Sequence, residues 1–187
     1  MTIAITPYQS TWPEAFRAHG QAIRAAVGDA ALAIHHIGST SVPGLAAKNV
    51  IDIQLTVADF DAPVRAGLEG LGYLLREHLC DHCPPGMELT PAELEKRFYK
   101  HLSPDVNLHV RIDGRFNQRY PLLFRDYLRA TPMAADAYGE IKRQLARYFP
   151  EDMDAYYDIK DPVCDVLMAG AFAWAEATGW APGPTDA

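Results

Sequence analysis

The side chains best suited to phosphate chemistry fall in one stretch, Ile34 to Val57, which reads IHHIGSTSVPGLAAKNVIDIQLTV. Gly38-Ser39 breaks a short apolar strand. A glycine beside a serine at a strand-to-helix turn lets backbone N–H groups approach an anion, with the serine hydroxyl as a further donor. Asp52, set between Ile51 and Ile53 on the returning strand, can hold a divalent cation that bridges phosphate oxygens. Gly-Ser also occurs in plain turns, so a purely structural turn competes with the anion site. Lys48 stands between the turn and the acid, where it is either a phosphate contact or an exposed loop residue.

A second polar group lies on Val106–Ile112. Alternation there puts Asn107, His109 and Arg111 on one side, with Val106, Leu108, Val110 and Ile112 on the other. Polar groups on a strand otherwise suited to burial need partners. Anion binding by His109 and Arg111 is the favoured reading, and neutralisation of Asp52 in a structural pair is its rival. His35 and His36 point to opposite sides of their strand, so at most one of them faces a cleft. Arg125 and Arg129 share a helical face, and an anchoring salt bridge is at least as reasonable for Arg125 as ligand contact. His78, Cys80, His82 and Cys83 form a compact cluster, with His101 as a distant helper. It lacks the second knuckle of a structural zinc site. Ser39 as a covalent nucleophile has no evident histidine–acid relay.

These residues need elements to position them. Thr11 with Pro13 and Glu14 opens a helix that runs, by the recurrence of Phe16, Ile23 and Val27, to Gly28. Leu32–Ile37 is a strand, and Pro43–Ala47 suits a single helical turn. Val50–Val57 is almost continuously apolar or β-branched, which places it inside a sheet. Asp59 is expected to cap a helix from about Ala62 to Gly70, followed by a short extended piece, Tyr73–Arg76. His78–Glu88 is irregular around Pro84-Pro85-Gly86, and Thr90 with Glu93 has the form of a capping box. From Asn117 the pattern is helical, with helices over Tyr120–Ala130, Ala134–Phe149 and Asp161–Thr178. Strands first and helices after give an α+β class.

Composition narrows the function classes. The chain has 187 residues and a net charge of -7, enough for one good core. That balance disfavours an extended nucleic-acid or anionic-lipid surface, while leaving room for a local basic pocket. No apolar run reaches the roughly twenty residues that cross a bilayer. The first residues lack a basic end followed by an apolar core. Three cysteines make no disulfide framework. The expectations are a cytoplasmic protein, a single domain over residues 1–179, and a Pro- and Gly-rich tail over 180–187 that frays.

The string HIGSTSVPGLAAKNVIDIQLTV, with LHVR at Leu108–Arg111 and LLFRDYLRATPMAADAYGEIK at Leu122–Lys142, closely resembles the GrpB-like family. That family belongs to the DNA polymerase β-like nucleotidyltransferase superfamily. The resemblance covers most of the chain and implies a small mixed sheet packed against helices. It further implies a nucleotide or phosphorylated small molecule as partner. Asp52 and Ser39 would be the catalytic positions, with Mg²⁺ on Asp52. Gly38, Ser39, Lys48, His109, Arg111 and Arg125 would line the ligand site, with Arg125 and Asp126 inward-facing. Active superfamily members carry two acids one residue apart on the strand, and a third on a later strand. Here Gln54 stands where the second acid would be. One aspartate and one amide do not replace a two-metal carboxylate set. Relatives of the domain occur fused to dephospho-CoA kinase, which leaves open a degenerate binding domain that supports nucleotide or coenzyme A metabolism.

Overall fold

Alternation along one central strand decides the architecture. In the computed structural model, which describes residues 2–76 and 80–187, β2 (Ile51–Val57) sends Ile51, Ile53, Leu55 and Val57 into an apolar core. Asp52, Gln54 and Thr56 go to the opposite face. Its parallel neighbour β5 (Asp105–Ile112) repeats the division, with Val106, Leu108 and Val110 in the same core. Register pairs Asp52 with Asn107, Gln54 with His109 and Thr56 with Arg111. One side of the sheet is therefore hydrocarbon, and the other is a polar strip two strands wide.

Around this pair lie β1 (Ala33–Ile37), antiparallel to β2, then β4 (Arg97–Leu102), antiparallel to β5, and β3 (Leu74–Arg76) at the far edge. The order is β1-β2-β5-β4-β3. On the apolar side sit α1 (Trp12–Val27) and α2 (Arg65–Gly70), whose Phe16, Ile23, Val27 and Leu68 close the core. Ile53 and Leu108 are fully buried, and cutting either to alanine costs about 2–5 kcal/mol, because the cavity adds to the lost transfer energy. After α3 (Pro91–Leu94), whose first turn carries the Thr90/Glu93 capping box, the polar strip is roofed by α4 (Phe116–Ala130). Packed on α4 are α5 (Pro132–Tyr148) and α6 (Met153–Thr178). The α+β class and the small mixed sheet against helices are as the sequence reading has them.

Several local expectations are corrected. β4 has no counterpart in the sequence reading. Its residues (RFYKHL) mix charge with aromatics, and only Tyr99 is buried. The turn after Gly38 is a 3-10 turn over Ser39–Ser41, not a helical turn over Pro43–Ala47. Asp59 accepts a hydrogen bond from the Asp61 N–H, two residues on, and Val64 occupies the N-cap of α2. α6 starts at Met153 and runs through Pro162. Proline removes one helical hydrogen bond, but Tyr156 on one side of it and Met168 and Ala171 on the other are locked in cores that hold both halves in line.

The tail does not fray. Asp186 N–H donates to Ile34 O (2.9 Å), and the Asp186 carboxylate accepts from His36 N–H (3.0 Å) and Arg125 Nη1 (2.8 Å). Thr185 Oγ1 accepts from Ile34 N–H (2.9 Å). These bonds cover the otherwise open edge of β1, and an unpaired edge is a strong enough demand to order a Pro/Gly-rich segment. Among the described residues no helix is long and apolar enough to cross a membrane.

Candidate functional site

Gly38 and Asp52 meet because β1 and β2 are antiparallel neighbours and Ile37 stands opposite Asp52. Gly38 has φ 68° and ψ −174°, a conformation open essentially to glycine alone. A Cβ there would lie 2.5 Å from Asp52 Oδ2, so the residue type is set by the carboxylate as well as by the backbone. The turn beyond is braced on two sides. Ser41 Oγ donates to Gly38 O (2.6 Å), and Arg129 donates from Nε and Nη2 to Ser41 O (3.1 and 2.8 Å).

The Ser39 hydroxyl accepts a hydrogen bond from Lys142 Nζ at 2.8 Å. Lys142 is only 3% exposed and lies over the Tyr138 ring. Burial first, and the charge of Lys160 second, pull its pKa from 10.5 down to about 7. In its ammonium form an amine this buried needs a counter-anion. Sequence reasoning missed Lys142, although it closes the LLFRDYLRATPMAADAYGEIK string. Its only early signal is a lysine on the apolar-facing side of α5.

Asp52 opens into a cleft of about 260 Å³, bounded by Gly38, His109, Arg111, Asp81, Asn117 and the aromatic ring of Phe116 among others. Its Oδ1 accepts from Asn107 Nδ2 (2.7 Å), with His109 Nε2 3.8 Å away. Burial opposes its ionisation, but His109, Asn107 and Lys48 outweigh burial and hold the carboxyl below its ordinary value. His109 goes the other way. Burial, then the charge of Arg111, push its pKa down to about 4, so it is neutral at pH 7 and adds no charge to the cleft.

Other expected ligand residues are engaged elsewhere. Arg111 grips Asp81 from Nε (2.8 Å) and Nη2 (3.0 Å), and donates from Nη1 to Gln54 Oε1 (2.9 Å). The pairing with Asp52 weighed for it is not formed. Arg125 is 4% exposed and donates to Asp126, Asp186 and His36 O. It ties α4 to β1 and the tail, which is the anchoring reading. Lys48 donates to Tyr157 Oη (2.6 Å) on α6. His36 stacks on Phe16 and bonds Thr40, and His35 reaches the carbonyls of Gly183 and Pro184, so neither histidine lines the cleft. Asp81, Lys96, Asn107 and Asn117 join the site although sequence reading gave them no role, because a loop and a helix far apart in the chain supply three of them.

The carboxylate set decides what metal chemistry fits. Gln54 is fully buried, donates to Gln118 O (2.9 Å) and accepts from Arg111. It presents no oxygen to the cleft. Asn107 turns its amide donor, not its oxygen, to Asp52, and that oxygen accepts from Lys100 Nζ (2.8 Å). The Asp52 carboxylate is the group here that could hold a Mg²⁺, and one carboxylate with a buried amide does not make the several-carboxylate set that a pair of ions needs. Of the cysteine–histidine cluster, His78 lies outside the described residues, and His82 hydrogen-bonds Asp165 (3.0 Å). Among the described residues no three His, Cys, Asp or Glu side chains are placed to share a metal.

Comparison with known proteins agrees with this frame. Residues 2–169 match the family described as GrpB protein. A UPF0157 protein of Halalkalibacterium halodurans is 36% identical over 92% of this chain and 84% of its own length. A dephospho-CoA kinase of Mycolicibacterium paratuberculosis is 34% identical over 96% of this chain, which spans only 48% of that enzyme. The crystal structure of the conserved protein GrpB from Enterococcus faecalis superposes with a TM-score of 0.76 at 29% identity, covering 91% of this chain and 98% of that one. The Cid1 poly(U) polymerase shares the fold at a TM-score of 0.51 and 10% identity, over 76% of this chain and 43% of that one.

Proposed function

The chain belongs to the GrpB family, and from that premise we propose that its cleft binds the phosphate groups of a nucleotide or a phosphorylated metabolite, with at most one Mg²⁺ held by Asp52. The observation that carries this reading is the Ser39–Lys142 pair, a buried ammonium at 2.8 Å from the hydroxyl of the turn that also supports Asp52. Lys142 supplies positive charge, Ser39 orients it, and the absence of a side chain at Gly38 leaves Asp52 Oδ2 open. An anion beside Lys142 would raise its pKa and fix it as the ammonium form. When bound, Mg²⁺ would neutralise phosphate oxygens and so make phosphorus more electrophilic.

A second reading has a specific observation behind it. Gln54 is built into the hydrogen-bonding that joins β2 to α4, so the second acid is replaced by a structural part. A domain that keeps the phosphate pocket and no longer transfers anything would look like this. Similarity to half of a dephospho-CoA kinase suggests a supporting place in nucleotide or coenzyme A metabolism. A thermal-shift screen of nucleoside triphosphates and dephospho-CoA, with and without Mg²⁺, tests both readings. At least one phosphorylated compound is expected to raise Tm. Stabilisation by none removes both, while binding without turnover selects the second.

A further inference from the structure

Among the described residues that line the cleft, Asp81 is the carboxylate that enters from an irregular loop, and it pairs with the Arg111 guanidinium there. Its two oxygens accept from Arg111 Nε and Nη2, from Lys96 Nζ (2.7 Å) and from Asn117 Nδ2 (3.1 Å). A planar guanidinium fork, an ammonium and an amide converging on two oxygens is the donor set that recognises a phosphate. Two cations share this single carboxylate, so the group as a whole keeps excess positive charge. The neighbours register it. Arg111 and Lys96 both act to depress His109, and burial and Arg111 together hold Lys96 below its ordinary value despite the contact with Asp81. Arg111 is 5% exposed and Asn117 2%. Asn117 borders the same cleft as Asp52.

We propose that Arg111, Lys96 and Asn117 form an oxyanion site that the chain fills with its own Asp81, and that a phosphate group displaces this carboxylate. The exchange swaps one anion for another on the same donors. A phosphate carries more charge than a carboxylate and offers more acceptor oxygens, so it relieves the excess positive charge that Asp81 leaves. Among the described residues the loop around Asp81 is further held by Asp81 N–H to Leu94 O (2.9 Å), by an antiparallel bridge between Cys80 and Glu95, and by His82 to Asp165 (3.0 Å). These contacts would part as Asp81 leaves. The site lies apart from the Ser39–Lys142 pair, and it rests on the phosphate reading only for the identity of the anion.

Inorganic pyrophosphate is the probe, titrated calorimetrically into the wild type, Asp81→Ala, and Asp81→Ala combined with Arg111→Gln or with Lys142→Met. Asp81→Ala is expected to bind about tenfold or more tightly than the wild type, and the Arg111→Gln combination to lose that gain. Equal affinity in Asp81→Ala and wild type overturns the proposal. A gain that survives Arg111→Gln but disappears with Lys142→Met also overturns it, while leaving the phosphate reading intact. Should Asp81→Ala not fold, hydrogen exchange on the wild type decides. Pyrophosphate is expected to speed exchange of the Asp81 amide by about tenfold, and an unchanged rate under saturating pyrophosphate refutes displacement.

Discussion

Replacing Gly38 with alanine tests whether the turn and the acid form one unit. The backbone at φ 68°, ψ −174° strains any L-residue by about 1–3 kcal/mol. The new methyl would also stand 2.5 Å from Asp52 Oδ2, so the carboxylate must rotate off its 2.7 Å bond to Asn107. A hydrogen bond to a charged group contributes about 1.5–3 kcal/mol, and Asp52 keeps some solvent contact, so the lower end applies. The sum is about 3 kcal/mol, which for a chain of this size lowers Tm by roughly 6–12 °C. A double-mutant cycle separates the parts. In an Asp52→Ala background the carboxylate share disappears while the backbone share stays, giving a coupling of about 1.5 kcal/mol in urea denaturation. Strict additivity would show that Gly38 and Asp52 do not constrain each other. A Gly38→Ala variant as stable as the wild type would refute the turn geometry altogether.

Gln54→Asp, the change that restores the second acid, is expected to gain no Mg²⁺ affinity by calorimetry. It is expected to lose about 1–3 kcal/mol of stability, because the shorter acid leaves Gln118 O without its buried donor. Lys142→Met is expected to raise Tm at pH 7, since it removes a buried amine. The wild type, whose Lys142 binds fewer protons folded than unfolded between about 7 and 10.5, gains stability as pH rises through that window. In Lys142→Met that gain is smaller, which pH-resolved denaturation reads directly. On the acid side, His36 and His109 both have folded pKa values of about 4 against 6.5 unfolded. Stability present above pH 6.5 should therefore be lost progressively down to about 4, and His36→Gln should flatten part of that loss.

How much of this the sequence made legible follows from range. Gly38, Ser39 and Asp52 were readable because two neighbouring strands and a short turn place them, and both strands announce themselves by apolar and β-branched runs. Alternation along Val106–Ile112 put Asn107, His109 and Arg111 on the face they occupy. What β5 turns them toward was not readable. Asp81 arrives from a loop 30 residues from Arg111 along the chain, and no periodicity encodes that meeting. Lys142 lies 103 residues from Ser39, and the packing of α5 on the turn, not its own pattern, buries it. The tail misled for a related reason. Its composition describes an isolated peptide, whereas the open edge of β1 supplies the partners that order it.

The most direct test of the phosphate pocket is calorimetric titration with inorganic tripolyphosphate, with and without Mg²⁺, of the wild type, Lys142→Met and Asp52→Asn. The account predicts binding to the wild type that Mg²⁺ strengthens, affinity about tenfold or more weaker in Lys142→Met, and binding indifferent to Mg²⁺ in Asp52→Asn. The same affinity and the same Mg²⁺ response in all three proteins would contradict it.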